Sequence, residues 1–96
     1  MTAAFSEASR PRLPKGVRTR FDETRELWLL LGPERTLELD EIGAAILEQV
    51  DGTRSLGAII DILADRYAEP RDRVADDVRT FLNSLVERRM LDIDAS

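Results

Sequence analysis

Two pairs of carboxylates stand nearest to chemistry in this chain. Asp61 and Asp65 are four residues apart, one turn of a helix, and Asp76 and Asp77 are adjacent. Carboxylates held side by side bind a hard cation through oxygen, or divide the acid and base roles of a reaction between them. Both pairs are interleaved with Arg66, Arg73 and Arg79. That mixture is the pattern of a solvated helix face, since charged side chains stay in water unless paired. Ser55 is a nominal nucleophile, yet the chain has no histidine to activate it, and it stands where a helix cap belongs. Gly52 and Gly57 lack the spacing of a phosphate-cradling loop. Cysteine is absent as well, which removes disulfides, thiolate nucleophiles and metal sites built on Cys and His. The residues therefore point to a protein that is not an enzyme and carries no metal or cofactor.

The remaining bounds are set by size and charge. A chain of 96 residues holds one small domain with a modest core. With 14 Lys and Arg against 19 Asp and Glu, the net charge is −5, a poor match to a phosphate backbone. The N-terminus "MTAAFSEASRPR" has no apolar stretch like that of a signal peptide, and no run approaches the ~20 apolar residues of a membrane span. The expectation is a cytoplasmic domain that binds neither nucleic acid nor membrane.

Residues 1–14, with Arg10, Pro11 and Pro14, read as a flexible lead-in, 15–91 as the folded domain and 92–96 as a tail. "GVRTRF" alternates Val17, Thr19 and Phe21 against Arg18 and Arg20, the period of a half-buried strand. "LWLLL" (27–31) has little polar face to give to water and belongs at the centre of a sheet. "ERTLEL" follows a Gly-Pro turn as a third strand, completing an antiparallel meander. From Asp40, an N-cap, the period becomes helical: Ile42, Ala45, Ile46 and Val50 form one stripe, ended by Asp51-Gly52. Ser55 caps a second helix with the stripe Leu56, Ile59, Ile60, Leu63 and Tyr67. A third opens near Pro70 and runs to about Arg89, carrying Val74, Val78, Phe81, Leu82 and Leu85 inward. The fold class is α+β, a three-stranded antiparallel sheet followed by a three-helix bundle.

In such a meander each outer strand keeps one free edge. The third strand leads straight into the helices, which leaves a trough between that edge and the third helix. An extended peptide fits there, adding backbone hydrogen bonds to the strand. The strand wall is Arg35, Thr36, Leu37, Glu38 and Leu39. On a helical wheel, Ala75, Leu82 and Val86 widen the apolar arc of the third helix at the angle where Arg79 sits, so these four are the expected helix wall, with Arg79 suited to a ligand carboxylate.

"PRLPKGVR" (11–18), "LLGPERTLELDEIGAAIL" (30–47), "DGTRSLGAIIDILADRY" (51–67) and "DVRTFLNSL" (77–85), in that order and spacing, resemble the pyrroloquinoline quinone biosynthesis protein D family, PqqD. The resemblance covers nearly everything from Pro11 to Leu91. It implies a winged-helix-like fold and the role of a chaperone for the precursor peptide PqqA, presented to the radical SAM enzyme PqqE. It implies too that the precursor lies as an added strand between the third strand and the third helix, and that the domain occurs fused to a neighbouring pathway enzyme. The sequence departs from the family at "ERRML" (87–91), where members often have a glycine before the final apolar pair.

Two other readings compete. A helix-turn-helix regulator would read DNA with "PRDRVADDVR" (70–79), whose Asp72, Asp76 and Asp77 oppose phosphate, and only seven residues follow Arg89, too few for a wing. A self-pairing scaffold would join the free edge to its own copy.

Overall fold

The computed structural model describes residues 5–93. Its elements are β1 (Pro11–Arg12), β2 (Arg18–Asp22), β3 (Leu27–Leu31), β4 (Thr36–Leu39), α1 (Glu41–Glu48), α2 (Leu56–Tyr67), α3 (Arg71–Glu87) and β5 (Asp92–Ile93). The three-stranded antiparallel sheet has the order β2-β3-β4, with the apolar β3 in the middle as its composition requires. Two short elements lie outside the expected plan, because β1 pairs antiparallel with β5. Among the described residues, no helix is long and apolar enough to cross a membrane.

Turn chemistry fixes the meander. Between β2 and β3, the Asp22 carboxylate accepts from the backbone N–H groups of Thr24 and Arg25, and Glu26 takes the left-handed conformation. Across this hairpin Phe21 faces Trp28, ring edge to ring face, with centroids 5.3 Å apart. Pairing puts Trp28 and Leu39, and Leu30 and Leu37, on the sheet face turned toward the helices. Leu30 and Leu39 are buried there, in one core cluster with Ile46, Leu56, Ile60 and Leu82.

The caps stand where the sequence places them. Asp40 accepts from the Gly43 N–H at 2.7 Å and Ser55 from the Ala58 N–H at 3.1 Å. Pro70 is the N-cap of α3 rather than its first helical residue. The α1 stripe is rotated from the expected one: Gly43, Ile46 and Leu47 face inward, whereas Ile42 is 49% exposed. The side-chain-free Gly43 lets α1 lie close to the Phe81 ring, only 3.1 Å from where a Gly43 Cβ would stand. Tyr67 likewise ends its stripe at the surface.

Residues 5–14 are not the flexible lead-in expected from their composition. Phe5 and Ser9 are buried. The Ser9 carbonyl accepts from the Leu56 N–H at 2.7 Å and the Glu7 carbonyl from the Gly57 N–H at 2.8 Å. This strap thereby satisfies two of the orphan donors at the start of α2. Glu7 and Asp61 converge on the Arg71 guanidinium. That contact holds the Glu7 carboxyl below its ordinary range and makes Arg71 still harder to deprotonate. At the other end, Asp92–Ile93, read as the start of a tail, pairs with Pro11–Arg12. Residues 1–4 and 94–96 of the proposed lead-in and tail lie outside the described residues.

Helix α3 ends in a glycine-type cap without the glycine. Arg89 has φ +61°. Its N–H donates to Val86 O, and the Met90 N–H reaches back to Leu85 O at 2.9 Å. These are the two bonds of a Schellman motif, with Met90 and Leu85 both buried as its apolar contact. The left-handed residue falls on the position where the resemblance calls for glycine.

Candidate functional site

Strand β4 is an edge of the sheet, and the pairing pattern tells which of its backbone groups are free. The Gly32 N–H donates to Arg35 O at 2.8 Å, so these two residues close the hairpin as a bonded pair. Alternation along the antiparallel ladder then makes Leu30–Leu37 and Trp28–Leu39 bonded pairs. Leu37 and Leu39 thus direct their N–H and C=O toward β3. Those of Thr36 and Glu38 point outward, and no backbone partner takes them up among the described residues. Their side chains are exposed on the outer face of the sheet, where Glu38 meets Arg25 at 3.3 Å.

Helix α3 runs beside this edge in the opposite direction. Phe81 abuts Gly43 at the Asp40 end of β4, and Met90 lies over Gly32 at the other. At the Asp40 end a cleft of about 510 Å³ is bounded by Asp40, Ile42 and Gly43 on one wall and by Asp77, Thr80, Phe81 and Ser84 on the other. The Ser84 hydroxyl donates to Phe81 O at 2.7 Å, which leaves its oxygen able to accept from a guest. With Asp40, Asp76 and Asp77 on its borders, the cleft is electronegative.

The expected strand wall and helix wall fare differently. Arg35, Thr36 and Glu38 are exposed, Leu37 is half-buried and Leu39 is buried with its side chain in the core. On α3, however, the flank of Ala75, Arg79, Leu82 and Val86 does not line the cleft. Leu82 is fully buried. Ala75 and Val86 are half-buried, packed against the core. The Arg79 guanidinium donates to Phe5 O at 2.8 Å and lies 5.8 Å from the centre of the Phe5 ring, a cation–π contact. Arg79 thus ties the N-terminal strap to α3 and stands outside the cleft lining.

Asp77, Thr80, Phe81 and Ser84 form the cleft wall that the sequence reading missed. Their spacing is as regular on a wheel as that of the other flank. What distinguishes the flanks is Phe5, 74 positions from Arg79 in the chain, which engages that arginine on the flank away from the cleft. Of the acidic pairs, Asp61 bonds Arg71; among the described residues no group of three or more acidic side chains stands together as a metal site. Asp72, Asp76 and Asp77 are all exposed on α3, which sets negative charge where a DNA reader needs the opposite.

Comparison with known proteins turns this geometry into a family assignment. The family model described as Coenzyme PQQ synthesis protein D (PqqD) matches residues 28–91, a stretch holding all but the first residue of β3, then β4, all three helices and both walls of the cleft. The chain belongs to the PqqD family. It is 45% identical over 88 residues to the PqqA binding protein of Bradyrhizobium diazoefficiens, covering 92% of this chain and 85% of the relative. It is 42% identical over 89 residues to the bifunctional coenzyme PQQ synthesis protein C/D of Methylorubrum extorquens, covering 93% of this chain and 24% of that longer one. The solved PqqD truncation of Methylobacterium extorquens PqqCD, described as a functional, stand-alone recognition element for ribosomally made, modified peptides, superposes with a TM-score of 0.81. That match, at 41% identity, covers 94% of this chain and 96% of the other. The α+β, winged-helix-like architecture is thus that of the PqqD family, including members in which it forms one part of a fused chain.

Proposed function

We propose that this PqqD-family chain is a non-catalytic adaptor of pyrroloquinoline quinone biosynthesis. It binds the precursor peptide PqqA as an added strand on the outer edge of β4 and presents it to the radical SAM enzyme PqqE. The observation that carries this reading is the pair of outward-facing backbone units at Thr36 and Glu38, on an edge without a strand partner among the described residues, running into a cleft walled by α3. Relatives named PqqA binding protein and the neighbour described as a peptide recognition element support the choice of guest. The pathway enzyme fused to the domain in one relative supports a place beside the maturation machinery.

Strand addition here gives modest affinity by construction. Thr36 and Glu38 supply two donors and two acceptors, and each bond contributes about 0.5–1.5 kcal/mol net. Side chains entering the cleft must supply the rest and the selectivity. The acidic border favours neutral or basic guest residues opposite Asp40 and Asp77. Arg35 through Leu39 then form the strand wall, and Asp77, Thr80, Phe81 and Ser84 the helix wall.

An amide-resolved NMR titration with the precursor peptide tests the reading. The Thr36 and Glu38 amides and those of residues 77–84 shift together, with one peptide bound per chain. Shifts confined to the β2 edge, or no binding at millimolar peptide, would refute it. Salt-sensitive retention of duplex DNA without peptide binding would favour the regulator instead.

A further inference from the structure

Next to the cleft, on the far side of Ile42, lies a second cavity formed where α1, the end of α2 and the start of α3 converge. Its volume is about 150 Å³, and it is lined mainly by apolar side chains, among them Ile42, Ala45, Leu63, Tyr67, Val74 and Val78. Ile42, Ile46 and Asp77 border both this cavity and the cleft, so the two are neighbours that share a wall of these three residues. Ile42 stands out among them. Ile42 is 49% exposed although its helix has an apolar face to bury, and Tyr67, on the opposite rim, is 39% exposed.

We propose that this cavity is a specificity pocket for one bulky apolar side chain of the bound peptide, a branched aliphatic or single-ring aromatic residue. That residue lies just beyond the segment paired with β4, at its Asp40 end. The inference rests on the strand-addition reading above and adds the side-chain chemistry that the guest must carry. Three observations favour this occupant. The lining is apolar, with Arg73 at the rim engaged by Glu69 at 3.8 Å. An apolar engineered cavity of about the same volume stays dry and takes up benzene, so one ring or one leucine-sized group fits. Access runs over Ile42 from the cleft in which the backbone of the guest would lie. A free edge that recognises only backbone is promiscuous, and an apolar pocket at its end restores selectivity through side-chain burial.

The experiment uses two probes: the precursor peptide, with each large apolar residue replaced in turn by alanine, and p-cresol as a single aromatic ring. In the wild-type chain, one peptide position loses about tenfold or more in affinity on replacement, the range for removing one buried apolar side chain. Millimolar p-cresol shifts the methyl resonances of Leu63, Val74 and Val78. Val74→Phe, which fills the cavity from α3, weakens the intact peptide by a similar factor, abolishes the p-cresol shifts and makes the sensitive peptide position indifferent. Equal affinity of the wild type and a folded Val74→Phe chain would overturn the pocket and leave strand addition standing. If that variant does not fold, the alanine series decides alone: no sensitive position, or one whose replacement perturbs only residues near Gly32, overturns the pocket. Failure of the wild-type chain to bind any form of the peptide would remove the strand-addition reading and this pocket with it.

Discussion

Replacing Glu38 by proline separates the backbone of β4 from its side chains. The Glu38 N–H points away from β3, because Glu38 faces Leu29 across a non-bonded position of the ladder. Proline there removes no bond of the meander, and edge strands tolerate it for that reason. The residue before it, Leu37, is already extended, as a pre-proline residue must be. Folding stability therefore falls by no more than about 1 kcal/mol, the share of a strained φ and the lost Arg25 contact, an exposed ion pair of little weight. The guest loses more. Its bond to the Glu38 N–H disappears, and the ring crowds the neighbouring acceptor, so one or two bonds at about 0.5–1.5 kcal/mol each are removed. That corresponds to roughly a 2- to 150-fold rise in Kd, centred near tenfold. Glu38→Ala is the control: it keeps the N–H and discards the carboxylate, and affinity stays within about twofold. Isothermal titration with the precursor peptide, alongside urea unfolding of both variants, reads the two quantities separately. If Glu38→Pro binds like the wild type, or Glu38→Ala is as damaging as proline, backbone pairing at this edge is refuted.

Further predictions concern the scaffold that holds the cleft. Arg89→Gly relieves a left-handed residue whose Cβ costs about 1–2 kcal/mol, against glycine's chain-entropy penalty of about 0.5–1. A gain of about 0.5–1 kcal/mol, read as a Tm several degrees higher, is expected, and an unchanged or lower Tm contradicts the cap. Gly57→Ala destabilises the chain by about 1 kcal/mol although alanine is the better helix former, because its Cβ would come within 3.1 Å of Glu7 Cβ and 3.3 Å of Glu7 O and push the strap away. Hydrogen exchange of the Leu56 and Gly57 amides should rise in that variant. In acid, Asp51 retains its charge well below its ordinary value of 3.8, down to about 2, chiefly because it accepts from the backbone N–H groups of Arg54 and Thr53. A depressed carboxyl pKa stabilises the fold above the unfolded value and loses that contribution as pH falls through the folded one. Asp51→Asn should flatten the decline of the urea midpoint between pH 3.8 and about 2, and an identical decline in both proteins would contradict this.

Periodicity, caps and turns made most of the fold legible from residue order. The alternation of "GVRTRF", the unbroken apolar "LWLLL" and the stripe of α2 depend on neighbours within one turn or one pleat, and they predict the observed elements. Asp40 and Ser55 cap as expected because an N-cap bond joins residues three apart. What misled was composition where a long-range contact dominates. Residues 5–14 look like a loose leader with two prolines, yet Phe5 and Ser9 are buried against helices that come some fifty or more positions later. Ile42 fits the apolar stripe of α1 and is nevertheless half outside, because the close approach of α1 and α3 at Gly43 and Phe81 rotates that helix.

By itself the sequence determined that the chain is an acidic, histidine-free and cysteine-free α+β domain with a short third strand at a sheet edge, and its motif order determined the family. Only the tertiary structure decided which flank of α3 faces that edge. An amphipathic helix with a broad apolar arc can turn either shoulder to a neighbour at nearly equal local cost. The burial of Phe5 and its contact with Arg79 break that tie. They occupy the Arg79 side of the helix, while Asp77, Thr80, Phe81 and Ser84 wall the cleft.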